Sequence, residues 1–445
     1  MSTAQLDRPK SVPVDVPPGR RGAIRRLGEL RETSPGRLQL ILAFLLTLGL
    51  LTGLVAGLTA NAAGSGTDDL GSRAQPLLVE AETIYSALAD ADTTAAQAFL
   101  AGGLEPAALT QRYDDDLNQA TTALTSAARR TPEGGATAAA IRELASGTAQ
   151  YAALVATARA NNRQGLPVGS SYLSAASELN RNTLLVQAQA LFRTAQDEVD
   201  AGYGDARSSW WVTLLVLLLA GLLIALLLVQ RRLSRMTHRT FNVPLVAATV
   251  VTAILALTAG GILTAQRAHL HSADVDGSTP VALLAEVRIL ALRERGDEAL
   301  TLAAHGSGGA YETDFQSVAK RLDGANGLLD KAAAAVSGNA ADAVQNARVR
   351  HDDYVAVHTK VRQLDDGGDF DGAVKLAIGS ATSATFTAFT GDVGNALTDH
   401  KATFTDEIGS AGNGLGLLIV LGPLLALVVC ALAFAGIRTR LEEYR

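Results

Sequence analysis

Few residues in this chain have types and spacings suited to chemistry. Asp114-Asp115-Asp116 lines up three carboxylates, the donors that hard cations prefer. Asp365-Asp366-Gly367-Gly368-Asp369-Phe370-Asp371 has the outline of a calcium loop. It lacks the glutamate at the twelfth position, where Ser380 and Ala381 occupy the neighbourhood. The first run reads as an acidic helix face, the second as a glycine helix stop followed by an aspartate N-cap. His269-Leu270-His271 offers two imidazoles on different helix faces, so a shared metal is not expected. There is no Gly-Lys-Ser/Thr phosphate loop, no HExxH, no Gly-x-Ser-x-Gly and no kinase signature. The one cysteine, Cys430, excludes a disulfide framework and a cysteine-based zinc site, and it sits in an apolar run as a small hydrophobe. The expectation is a chain that is not an enzyme, with no catalytic residue, no metal, no cofactor and no nucleic-acid partner.

The elements that carry these residues are set by hydropathy. The chain has 445 residues, 48% of them hydrophobic and only 18% charged, where an ordinary soluble domain has about 25%. Its mean hydropathy is +0.18. Four segments, 38–60, 210–229, 243–265 and 414–437, contain no charge and reach the roughly 20 residues a helix needs to cross hydrocarbon. Trp210 and Trp211 stand at the start of the second span as interfacial anchors. Ala60-Asn61-Ala62 resembles a leader-cleavage site. The basic stretch of 37 residues before the first span, and a matching helix in the second half, favour its retention. Pro423 is expected to kink the fourth span. The absence of ionisable residues within the spans argues against a transporter.

Charge sets the orientation. The tail 1–37 carries eight Lys/Arg, the short loop 230–242 carries Arg231, Arg232, Arg235 and Arg239, and the tail 438–445 carries three more. These 15 basic residues face six acidic ones, a net of +9. With a whole-chain charge of −6, the long segments 61–209 and 266–413 carry −15. The positive-inside rule then places both termini and the short loop in the cytoplasm of a plasma membrane, and both long segments outside. The basic tail, with Pro9, Pro13, Pro17 and Pro18, is expected to lack a fold. It would orient the first span, touch anionic membrane lipid and offer a dock to a cytoplasmic partner.

The chain is one unit written twice. Each half reads apolar helix, long outside segment, apolar helix. Residues 151–177 align without a gap on 354–380 at an offset of 203, pairing Tyr151 with Tyr354, Gly165 with Gly368, Gly169 with Gly372 and Leu173 with Leu376. Upstream, Asp116-Leu117 pairs with Asp314-Phe315 at an offset of 198. Breakers at 102–103, 131–135 and 165–169, and at 306–309, 337–339 and 366–369, divide each outside segment into four helical stretches. Leu117, Ala120, Leu124 and Ala128 are spaced as the core face of one of them. The predicted fold is an all-α membrane protein. It has four transmembrane helices and two extracytoplasmic up-down four-helix bundles continuous with them.

Within the membrane, Gly49, Gly53 and Gly57 line one face of the first span, and Thr252, Ala256 and Gly260 make a similar stripe on the third. These faces predict that the halves pack as an intramolecular pseudo-dimer, with homo-oligomers also open. The bundle loops farthest from the membrane are the expected contact for an outside partner: Asn161, Asn162, Arg163, Leu166 and Pro167 in the first copy, Asp365, Asp366 and Phe370 in the second. On the inner side, Arg231, Arg232, Arg235 and Arg239 are the expected cytoplasmic coupling residues.

An apolar helix, an outside four-helix bundle and an apolar helix resemble the input half of a bacterial chemoreceptor, here with two copies in one chain. The segment 232–242, RLSRMTHRTFN, and the segment 161–169, NNRQGLPVG, followed by Tyr172-Leu173, resemble the actinobacterial GlnX family. That resemblance implies a non-enzymatic relay. Outside, such a protein works with a GlnH-like solute-binding lipoprotein that recognises aspartate or glutamate. Inside, it works with a PknG-like Ser/Thr protein kinase. A direct small-molecule sensor without a binding protein, and a scaffolding protein of the envelope, are the alternatives.

Overall fold

The computed structural model describes residues 34–102, 105–207, 210–237, 242–304 and 306–442, and no strand occurs among them. The basic tail up to residue 33 and Arg239 lie outside the described residues. In chain order the first half runs α1 (Ser34–Asp69), α2 (Gln75–Leu100), α3 (Ala107–Arg130), α4 (Ala136–Arg163), α5 (Val168–Leu179), α6 (Leu185–Arg207) and α7 (Trp210–Thr237). The second half runs α8 (Val243–Ser272), α9 (Thr279–Ala303), α10 (Gly309–Asp323), α11 (Leu328–Ala335), α12 (Asn339–Asp366), α13 (Phe370–Ala377), α14 (Ser380–Ala411) and α15 (Leu415–Glu442). Four of the helical stretches are long and apolar enough to cross a membrane.

The chain divides into two compact units. One gathers the apolar helices: the described residues within 34–60, 210–261 and 417–442. Its core joins Leu45, Leu222, Leu226, Leu245, Ala248, Val429 and Ala433, so it draws on all four spans. The glycine stripe of α1 meets α15, not the stripe of α8. A Cβ on Gly53 would stand 2.6 Å from the Ala426 Cβ and 3.3 Å from the Pro423 Cα; one on Gly49 would stand 2.7 Å from Cys430 Sγ. Pro423 lies inside α15, and its ring lies opposite Gly57. The proline thus fills the groove that the glycines leave open. Thr252 is fully buried, while a Cβ on Gly260 would meet nothing, so only part of the α8 stripe packs within this unit. Gln230 donates to the Leu245 carbonyl and to Thr249, and Asn242 to the Gly436 carbonyl, which ties three spans together where the basic residues begin. The segment 230–242 is less of a loop than its composition suggests. Helix α7 carries on to Thr237, with Arg231, Arg232 and Arg235 exposed on its last turns.

The other unit, residues 61–209 and 262–416, holds both bundles. Each has its helices where alanine, leucine, glutamate and arginine dominate, and its breaks at the expected glycines. Gly165 and Gly368, equivalent at the offset of 203, end their helices with φ of +68° and +82°, a conformation that glycine adopts without strain. Asp369 caps α13 as expected, accepting from the Gly372 amide. Three features escape the composition. A π-helical turn interrupts each first helix at equivalent places, Leu70–Ala74 and Ala273–Ser278, and another lies at Asn180–Leu184. The second copy breaks again at 324–327 and at Ile378-Gly379. On α3 the buried stripe is Tyr113, Asp116, Ala120, Ala123, Leu124 and Ala127; Ala128 faces out, because the helix takes the i+3 step at that point.

Tyr151 and Tyr354 are both fully buried, as one register requires. Their partners correct the upstream alignment. Tyr113 packs on Tyr151 with ring centroids 6.4 Å apart, and Phe315 packs on Tyr354 at 6.2 Å. Tyr113 is therefore the counterpart of Phe315, and Arg112 of Asp314. The offset of 198 matched Asp116 to Asp314 on a two-residue coincidence.

The glycine groove gives a direct test. Gly53→Leu should weaken the apolar unit by about 1–3 kcal/mol through overpacking against Ala426 and Pro423. Leu54→Val, at a side chain 59% exposed, should change little. Thermal unfolding in detergent distinguishes them, and equal midpoints would show that α1 does not seat on α15.

Candidate functional site: the seam between the bundles

Charged residues are expected on the outside of a helical bundle. Here many lie inside, along the line where the two copies meet. Arg293-Glu294-Arg295-Gly296-Asp297-Glu298 puts five charges into six helical positions of α9, flanked by leucine and alanine. Six consecutive positions exceed one turn, so these side chains point to every side and cannot share a solvated face. Glu294, Arg295, Asp297 and Glu298 are each 2% exposed or less.

Arg181, in the π turn of the first copy, forms the centre. Its Nε meets Asp92 of its own bundle at 3.1 Å, and its Nη1 meets Asp297 of the other. Thr93 Oγ1 donates to the Leu292 carbonyl across the seam at 2.8 Å. Gly296 makes room for both groups: a Cβ there would stand 2.6 Å from the guanidinium and 3.3 Å from Thr93 Oγ1. Burial pushes the Asp297 carboxyl up to about 7, against the pull of Arg181; the guanidinium keeps its charge. Further cross-seam contacts run along the same line. Gln266 reaches Ala63 O and Thr67, Gln75 donates to Thr405, Lys401 pairs with the buried Glu82, and Arg288 lies 3.6 Å from Asp90. At one end Leu100 of the first copy joins Leu302, Val361, Ala373 and Phe370 of the second in one apolar cluster.

The duplication has diverged by exchanging signs. Arg112 pairs with Asp90 in the first copy, and at the equivalent positions Asp314 pairs with Arg293 in the second, both at 2.6 Å. Arg181 has no charged counterpart, since Ala384 occupies its equivalent position. The seam therefore has a direction, with one copy inserting the cation and the other receiving it. Beside Arg181 lies an open groove of about 560 Å³ between the copies, lined by Ser174, Glu178, Arg293, Tyr311 and Asp314 among others. Both signs of charge face it.

The residues expected to touch an outside partner fall into two groups. Asn161 donates to the Thr157 carbonyl and Asn162 to the Phe99 carbonyl, so both secure the turn between α4 and α5. Asp365 and Asp366 hold Arg362, and Phe370 packs into the shared apolar cluster. Arg163, Leu166, Pro167 and Asp366 remain exposed, with Leu166 at 45%. Of the Asp114–Asp116 run, Asp114 and Asp115 face solvent, while Asp116 is buried next to Thr94. Burial first, and the nearby Asp90 second, raise its pKa to about 7. His269 pairs with Glu407 rather than with His271.

Residues 66–204 match the family model described as an actinobacterial sensor domain. No curated protein and no solved structure matches the chain. The match covers the first bundle and supports an actinobacterial sensor protein, with a sensing role in signalling.

The second bundle holds a buried histidine between two carboxylates. Burial opposes protonation of His358. Hydrogen bonds to Glu298 of α9 and Glu312 of α10 outweigh it and lift the pKa to about 9, from the ordinary 6.5. Arg295 also faces Glu298, Arg362 faces Glu312, and the Phe315 ring stacks on the imidazole. A raised folded-state pKa contributes stability in full below about 6.5 and loses it as pH climbs through about 9. Between pH 7 and 10 the native bundle should lose on the order of 2–3 kcal/mol through this group. Denaturant unfolding at both pH values should show a shallower dependence in His358→Gln. Identical slopes would mean that the imidazole is neutral throughout.

Proposed function

We propose that the protein is a non-enzymatic transmembrane signal transducer. It reads amino-acid availability outside the cell, of the aspartate or glutamate type, through a GlnH-like solute-binding lipoprotein. It passes the signal to a PknG-like cytoplasmic Ser/Thr kinase. The observation that carries this reading is a sensor-domain match on a bundle joined in sequence to helices able to cross a membrane. The charge split of +9 and −15 supports placing the bundles outside and Arg231, Arg232 and Arg235 inside. Exposed Leu166, Pro167 and Arg163 are the partner's landing site at the end of the first bundle. The direct-sensor reading has one observation in its favour, the charged groove beside Arg181.

The relay is tested in cells by following phosphorylation of the kinase's substrate after aspartate is added. Wild-type chain should respond. Arg232→Gln combined with Arg235→Gln should insert normally, because eight basic residues remain in the N-terminal tail, and should abolish the response. An unchanged response in the correctly inserted double variant removes these arginines from the mechanism. A response that persists without any lipoprotein favours the direct sensor.

A further inference from the structure

The second bundle contains a cluster that neither the relay nor the seam uses. Asp323 ends α10, and His351 and Asp352 are neighbours on α12. One ring nitrogen and one oxygen from each carboxylate all lie within 4.8 Å of one another. His351 is 1% exposed. Its Nε2 meets Glu294 at 3.0 Å, while its Nδ1 is buried with no partner. A buried imidazole nitrogen without a partner costs free energy unless something occupies its lone pair. Two carboxylates converge on the same place, one from each helix.

We infer that Asp323, His351 and Asp352 form a binding site for a divalent transition metal, with Zn2+ the best fit. His351 would ligate through Nδ1, and each aspartate through one oxygen. The donor set of one imidazole and two carboxylates suits zinc, and three protein ligands leave a position for water. Glu294 supplies the second half of the pattern. A carboxylate that accepts from the far ring nitrogen fixes the tautomer and makes the ligating nitrogen more basic, as metal-bound histidines commonly require. Arg348 lies 2.8 Å from one Asp323 oxygen and also pairs with Asp330. Asp323 has a second oxygen to offer, and the cluster keeps a surplus of negative charge that a dication would cancel. Asp352 is exposed, which leaves an entry path. The site belongs to the second copy alone: Thr121, Thr148 and Ala149 stand at the equivalent positions of the first. Bound metal would clamp the end of α10 to the middle of α12, next to the irregular turn at 324–327.

The test uses the full-length protein in detergent, stripped with a chelator and titrated with ZnCl2 by calorimetry. One equivalent should bind, and saturating zinc should raise the unfolding midpoint. Asp352→Asn, at an exposed position, should keep the helical circular dichroism and the metal-free midpoint yet weaken zinc binding at least tenfold. Asp323→Asn should weaken it similarly. His269→Gln, at the histidine paired with Glu407, should leave it unchanged. Cobalt substitution should give visible absorption that Asp352→Asn abolishes. Failure of the wild-type chain to bind an equivalent of zinc, or binding in both aspartate variants as tight as in wild type, would overturn the proposal.

Discussion

A single guanidinium decides how the two bundles fit. Arg181 is almost excluded from water and is always charged, so its folded position must supply counter-charges. Asp92 and Asp297 supply them from two different bundles. Sliding one copy past the other by even one helical turn would strand a buried guanidinium and leave the Asp92 and Asp297 carboxyls buried without it, which would be strongly destabilising. Apolar contacts along the seam would tolerate such a slide, because alanine and leucine surfaces interchange readily. The ion triad thus contributes register more than net stability. Gly296 and Thr93 follow from it, the first by making room for Arg181 and the second by bonding across the seam beside it.

Much of this architecture is legible in the sequence. Uncharged runs mark the spans, glycine and proline mark the turns, and the Tyr151/Tyr354 register identifies the duplication. What stays hidden is the interior charge. Arg293 to Glu298 resembles a solvated stretch until one notices that its charges surround the helix. Arg181 gives no local signal, since its partners are 89 and 116 residues away. Pairing by identity also misleads where the copies have exchanged signs. Arg112–Asp90 and Asp314–Arg293 are the same contact, but no letter matches. The π turns leave no mark in residue propensity. Partner residues are harder still: Asn162 and Phe370 have the composition of exposed contacts, but Asn162 folds back onto its own bundle and Phe370 joins the apolar cluster shared by both copies.

A sensor built this way has a physical requirement, two packings of similar free energy that a partner can choose between. The seam has features suited to that. Oppositely charged groups from the two copies pair across it, Arg181 lies beside an open groove, and the two copies are no longer equivalent. Several buried oxygens along the seam, among them Asp297 Oδ2 and Glu82 Oε1, keep no hydrogen-bond partner in this packing.

Pulsed electron paramagnetic resonance tests the central claim most directly. Spin labels at the exposed positions Thr122 and Lys360, one in each bundle, report how the copies are seated. The measurement compares the wild-type seam with one in which Arg181→Met, Asp92→Asn and Asp297→Asn remove every charge of the triad together. The account predicts one narrow distance distribution with the triad intact. Without it, the distribution should broaden or split while helical circular dichroism is unchanged. An equally narrow distribution at the same distance in the neutralised chain would show that apolar packing alone fixes the seam, and would contradict the account.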